Sequence, residues 1–98
     1  MSQPEHDKWP FNDPPNLFCV SVRRIFERGG QILMVVHDVE DGCWQFLDGG
    51  EVKPEDGVAI CLEYAWRHDP SISELCDLPM GWQAKRTAVG KPWKRKRL

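Results

Sequence analysis

The stretch from Gln31 to Leu47 constrains this chain most. Ile32, Leu33, Met34, Val35 and Val36 form a nearly continuous apolar run, which suits a central strand covered on both faces. A polar turn follows, Asp38-Val39-Glu40-Asp41-Gly42, and its closing Asp-Gly is a strong hairpin signal. Cys43 to Leu47 then returns as the partner strand, with Trp44 and Phe46 on one face. A chain with this hairpin at its middle is committed to a sheet, and the rest must supply neighbouring strands and a cover.

Leu17 to Val22 supplies one strand, with Phe18, Val20 and Val22 alternating against Leu17, Cys19 and Ser21. Arg23 to Arg28 reads as a short helical turn with Ile25 and Phe26 inward, ended by Gly29-Gly30. After Asp48-Gly49-Gly50-Glu51 breaks the hairpin strand, Lys53-Pro54-Glu55-Asp56 reads as the start of a helix. Val58, Cys61, Leu62 and Ala65 then fall on one helical stripe, ending near His68. Asp69-Pro70 starts a second short helix, with Asp69 as N-cap and Ile72, Leu75 and Cys76 on its buried side. Leu78-Pro79-Met80-Gly81 is a turn, and Trp82 to Thr87 is the last expected strand.

The expected order is β, β, β, α, short α, β. This predicts an α+β single domain, with a largely antiparallel sheet of about four strands and one main and one short helix on one face. At 98 residues the chain is long enough for one core and for one domain. Residues 1–16, with Pro4, Pro10, Pro14 and Pro15, form a Pro-rich arm that Trp9 and Phe11 can pin. Residues 17–88 are the α+β domain, and 89–98 a basic tail. No apolar run is long enough for a transmembrane helix and no secretory pattern opens the chain, so a cytoplasmic protein without membrane contact is expected. Its four cysteines are widely spaced and lack C-x-x-C, which fits small buried hydrophobes in a reducing compartment.

Charge is unevenly placed. Leu17 to Ala84 carries five basic and twelve acidic residues, a balance of minus seven, whereas Lys85 to Leu98 carries seven basic and no acidic ones. The carboxylates Asp38, Glu40, Asp41, Asp48 and Glu51 gather around the hairpin and suggest an acidic face for a protein partner. In the tail, Lys91, Trp93, Lys94, Arg95, Lys96 and Arg97 combine cations with an aromatic, the chemistry of nucleic-acid binding, although the acidic body opposes it. His37 beside these carboxylates is the alternative of a small enzyme. No glycine-rich phosphate loop, nucleophile elbow, calcium loop or close-spaced ligand pair is present, so neither a cofactor nor a metal is expected.

Several segments together resemble a small bacterial domain of unknown function, similar to the immunity-protein group numbered thirty-three of polymorphic toxin systems. They are Asp13-Pro14-Pro15-Asn16, Gly29-Gly30-Gln31-Ile32-Leu33, His37-Asp38, Gly42-x-Trp44-x-Phe46 with Gly49-x-Glu51, Asp69-Pro70-Ser71 through Pro79-x-Gly81, and Pro92-Trp93. The resemblance spans residues 13–93 and excludes Lys94 to Arg97. It implies a stand-alone cytoplasmic α+β protein that binds and neutralises a toxin, and it brings no catalytic residues. The leading expectation is therefore a non-enzymatic binding protein, with partner identity and oligomeric state left open.

Overall fold

The computed structural model describes residues 9–98; the start of the Pro-rich arm, including Pro4, lies outside the described residues. Six strands form one mixed sheet: β1 (Phe18–Val22), β2 (Met34–His37), β3 (Trp44–Leu47), β4 (Gly57–Cys61), β5 (Trp82–Lys85) and β6 (Lys94–Arg97). Their order across the sheet is β4-β1-β3-β2-β5-β6. β1 runs parallel to β3, and every other neighbouring pair is antiparallel. The helices are α1 (Arg23–Glu27) and α2 (Leu62–His68), with 3-10 helices at Pro54–Asp56 and Pro70–Leu75.

The expected hairpin is present. β2 and β3 pair from Met34↔Leu47 to His37↔Trp44. The Asp38 amide donates to the Cys43 carbonyl at 2.8 Å. Gly42 adopts φ 70°, a conformation that strains any residue with a Cβ, and Asp41 accepts from the Cys43 amide.

The expectation of about four largely antiparallel strands is corrected to six strands in a mixed sheet. The first added strand is β4, drawn from residues assigned to the main helix. Val58 and Cys61 do share a helical stripe with Leu62 and Ala65, but only the latter two are helical and buried. Val58 and Ile60 are β-branched, and β1 offers a five-pair register from Phe18↔Cys61 to Val22↔Gly57. The second is β6, drawn from the basic tail, which pairs with β5 along its whole length. A run of Lys and Arg is a poor strand by propensity, yet an edge is where such charges belong. The parallel pair arises because the hairpin places β2 on one side of β3 and leaves β1 to dock on the other.

The register lines up one side chain from each strand in two rows across the sheet. On one face runs Val58, Ser21, Phe46, Val35, Ala84 and Arg95. The inner four of these are fully buried. α2, the Pro70–Leu75 helix and the Trp9–Phe11 segment cover that face, through Leu62, Ala65, Ile72, Leu75 and Phe11. Phe11 meets Trp44 edge-on at 5.4 Å between ring centroids, so the described end of the arm belongs to the core. The opposite face carries Ala59, Val20, Gln45, Val36, Gln83 and Lys96.

One polar network is buried within the core side. The Arg86 guanidinium donates to the Ile32 carbonyl from Nε at 3.1 Å and Nη2 at 2.9 Å, to Asp69 at 2.5 Å and to Ser71 Oγ at 2.9 Å. Its plane lies 4.1 Å from the Trp93 ring centroid. Asp69 also accepts from the Ser71 amide, the N-cap that Asp69-Pro70 announces in the sequence.

Candidate binding surface

β1 is the unexpected element. Its alternation turns Cys19 and Ser21 into the core, and the Ser21 hydroxyl donates to the Phe46 carbonyl at 2.5 Å. Its larger apolar residues point the other way: Phe18 is 76% exposed and Val20 44%. Exposed Ala59 is the cross-strand partner of Val20, and half-buried Cys61 is that of Phe18. An apolar strip therefore lies open at the β1–β4 side of this face, although Val22 and Val36 on the same face are buried. At the far side of the same face stand Lys85, Lys94 and Lys96, all exposed, with Lys85 opposite Lys94. A cleft of about 440 Å³ opens beside them, lined by Lys85, Arg86, Thr87, Lys91, Pro92 and Lys94.

The five carboxylates singled out in the sequence fall into two groups. Asp38, Glu40 and Asp41 sit at the hairpin end of β3, and Asp48 and Glu51 follow its other end. Asp38 accepts from the Gln45 amide at 2.8 Å, while Glu40 and Asp41 are exposed. Asp48 is held by Arg24 through two bonds of 2.5 and 2.8 Å, and Arg24 also reaches the Glu51 carbonyl and Asp56. The Arg24 hydrogen bonds are the main reason why the Asp48 carboxyl lies below its ordinary value. A depressed carboxyl stabilises the fold fully above its unfolded value of about 3.9 and loses that contribution as pH falls toward the folded value. Asp48→Asn is accordingly expected to cost about 0.5–1 kcal/mol near neutral pH, a figure kept small by solvent screening. In urea unfolding, the gap from wild type closes at about pH 3 or below. A gap unchanged by pH would rule out the ion pair as its source.

The basic segment is also divided. Trp93 packs on Arg86 and against the core, and its indole nitrogen is buried with no hydrogen-bond partner. Its ring is thus engaged within the protein and is not displayed for stacking on a base. Arg95 is bound by Asp77 at 2.7 Å and by the Glu74 carbonyl at 3.0 Å. Lys91, Lys94, Lys96 and Arg97 remain exposed.

His37 lines a cleft of about 350 Å³ with Asn12, Asp13, Cys76, Asp77 and Met80. Its ring stacks on Trp44 at 3.8 Å, and Nδ1–H donates to the Leu78 carbonyl at 2.7 Å. A carbonyl can only accept, so that bond fixes Nδ1 as a donor. Both carboxylates of the cleft already accept bonds, Asp13 from Trp44 Nε1 at 2.9 Å and Asp77 from Arg95. The His37 ring thus ties the Leu78 segment to Trp44 of β3. Burial first, then Cys43 and Cys61, pushes the Cys19 thiol up to about 12, which keeps it protonated and unreactive.

Among the described residues no group of three His, Cys, Asp or Glu is placed to hold a metal, and no helix is long and apolar enough to cross a membrane. The chain matches no family model, no curated protein and no solved structure. The functional reading therefore rests on the surfaces themselves. Sequence reasoning missed Phe18 and Val20 as surface residues, because an alternating strand is ordinarily read with its larger apolar set inward.

Proposed function

We propose that this chain is a non-enzymatic binding protein that docks a folded protein partner on its uncovered sheet face. One observation carries the reading: β1 buries Cys19 and Ser21 and turns Phe18 and Val20 to water. Leaving a Phe exposed forgoes about 1.5–3 kcal/mol of burial. Apolar side chains gathered on one face, and rimmed by charge, mark interaction sites. The matching partner carries an apolar knob for the Phe18–Val20–Ala59 strip and carboxylates facing Lys85, Lys94 and Lys96. Asp38, Glu40 and Asp41 at the hairpin end supply an acidic margin for basic groups on that partner. The resemblance to immunity-type domains adds a toxin as the class of partner and neutralisation as the role.

A photo-crosslinking residue at position 18 tests this in cells of the native host. It is expected to give one dominant adduct with another protein, and Lys94→Glu with Lys96→Glu should remove it. The same probe at position 64, on α2, should give none. Equal adducts from both positions, or none from position 18, would overturn the reading. Phe18→Ser should change folding stability by no more than about 0.5 kcal/mol, as an exposed residue outside the core does.

A further inference from the structure

The two edges of the sheet are built differently. β6 presents Lys94, Arg95, Lys96 and Arg97, all exposed, so two copies of this edge repel each other. β4 reads Gly57-Val58-Ala59-Ile60-Cys61, without a charge, a proline or a bulge in its register with β1. It is the type of edge that pairs with another strand.

The register settles which backbone groups of β4 face away from β1. The Leu62 amide donates to the Leu17 carbonyl at 2.9 Å, so this pair belongs to the hydrogen-bonded class of the antiparallel ladder. Stepping by two, Ile60 pairs with Cys19 and Val58 with Ser21 in the same class. The N–H and C=O groups of Ala59, the C=O of Gly57 and the N–H of Cys61 therefore point off the edge of the sheet, while the Gly57 N–H donates to the Pro54 carbonyl and the Cys61 C=O caps α2. The three β4 residues are symmetric about Ala59. Their side chains are small and lie on the uncovered face beside Phe18 and Val20.

We propose that β4 is a homodimer edge, pairing antiparallel with β4 of a second copy across a two-fold axis at Ala59. Ala59 lies opposite Ala59, and Gly57 opposite Cys61, so each Ala59 gains both ladder bonds and each Cys61 amide donates to the Gly57 carbonyl of the other copy. The arrangement is isologous and closes at two copies. The absence of charge on β4 makes a second copy a fitting occupant, since like meets like without repulsion. The two sheets become continuous, and the Phe18–Val20–Ala59 strips of both copies adjoin on one face. The inference stands whatever docks on that face.

Sedimentation equilibrium on the full chain over a wide concentration range tests it. The expected result is a reversible monomer–dimer equilibrium with no larger species. Ala59→Pro removes both central donors while leaving the bonds to β1 intact, a position at which an edge strand tolerates proline. It is expected to abolish the dimer. Ala59→Lys, which keeps the donor but sets like charges opposite each other, should weaken association about five-fold or more. Circular dichroism verifies that each variant is folded, and Arg97→Ala on β6 should leave association unchanged. The amides of Ala59 and Cys61 should exchange more slowly as concentration rises. A monomer at every concentration, growth beyond the dimer, or a dimer unaffected by either Ala59 variant would overturn the proposal.

Discussion

Arg86→Met is expected to lower folding stability by about 3–5 kcal/mol, the typical cost of removing one partner from a buried ion pair. The Arg86 side chain is 1% exposed and that of Asp69 11%. Without the guanidinium, Asp69 keeps a shielded charge, and the Ile32 carbonyl loses two donors. Trp93 loses the cation beneath its ring. A domain of this size has only about 5–15 kcal/mol in total, so the variant should unfold at a much lower urea concentration. Adding Asp69→Asn should recover part of the loss, because Asn still accepts from the Ser71 amide but carries no charge. If the double variant is no more stable than Arg86→Met alone, the stranded carboxylate is not the cause.

Trp44→Ala should be nearly as damaging, at about 3–5 kcal/mol. Trp44 is 1% exposed and joins elements distant in sequence. Its ring stacks on His37 and lies parallel to Phe46, Phe11 meets it edge-on, and its Nε1 donates to Asp13. Trp44→Phe keeps most of the apolar contact and forfeits the bond to Asp13, so about 1–2 kcal/mol is expected. Urea unfolding of both variants provides the comparison. Equal losses would mean that the Asp13 bond, and not the ring volume, fixes the arm to the core.

The sequence was most legible where structure is set by neighbours along the chain. Asp41-Gly42 dictates its hairpin, and Asp69-Pro70 its capped helix, because turn and cap chemistry is local. β4 and β6 were not legible for the opposite reason. Val58 to Cys61 satisfies a helical stripe as well as a strand, and only the presence of β1 alongside decides between them. Lys94 to Arg97 has no strand propensity to show, and its conformation follows from the open edge of β5 and the anchoring of Trp93. Of the candidate site, the charged residues were visible but their grouping was not. Asp48 and Glu51 look adjacent to Asp41 in the sequence, yet the length of β3 separates them. The outward turn of Phe18 depends on which face α2 covers, which no local pattern encodes.

The strand order also bears on how the sheet is assembled. β2 and β3 close only the loop 38–43, and β5 and β6 only the loop 86–93, so these two hairpins carry the smallest loop-closure entropy. Every other pairing joins segments far apart in the chain: Val20 with Gln45, Val20 with Ala59, and His37 with Trp82. Such contacts are entropically dear until a template exists to receive them. The β2–β3 hairpin is that template, since it lies between β1 and β5 and offers each of them a ready edge. The centre of the sheet is thus the part that the chain assembles at least entropic cost, and β4 reaches the sheet through β1 alone.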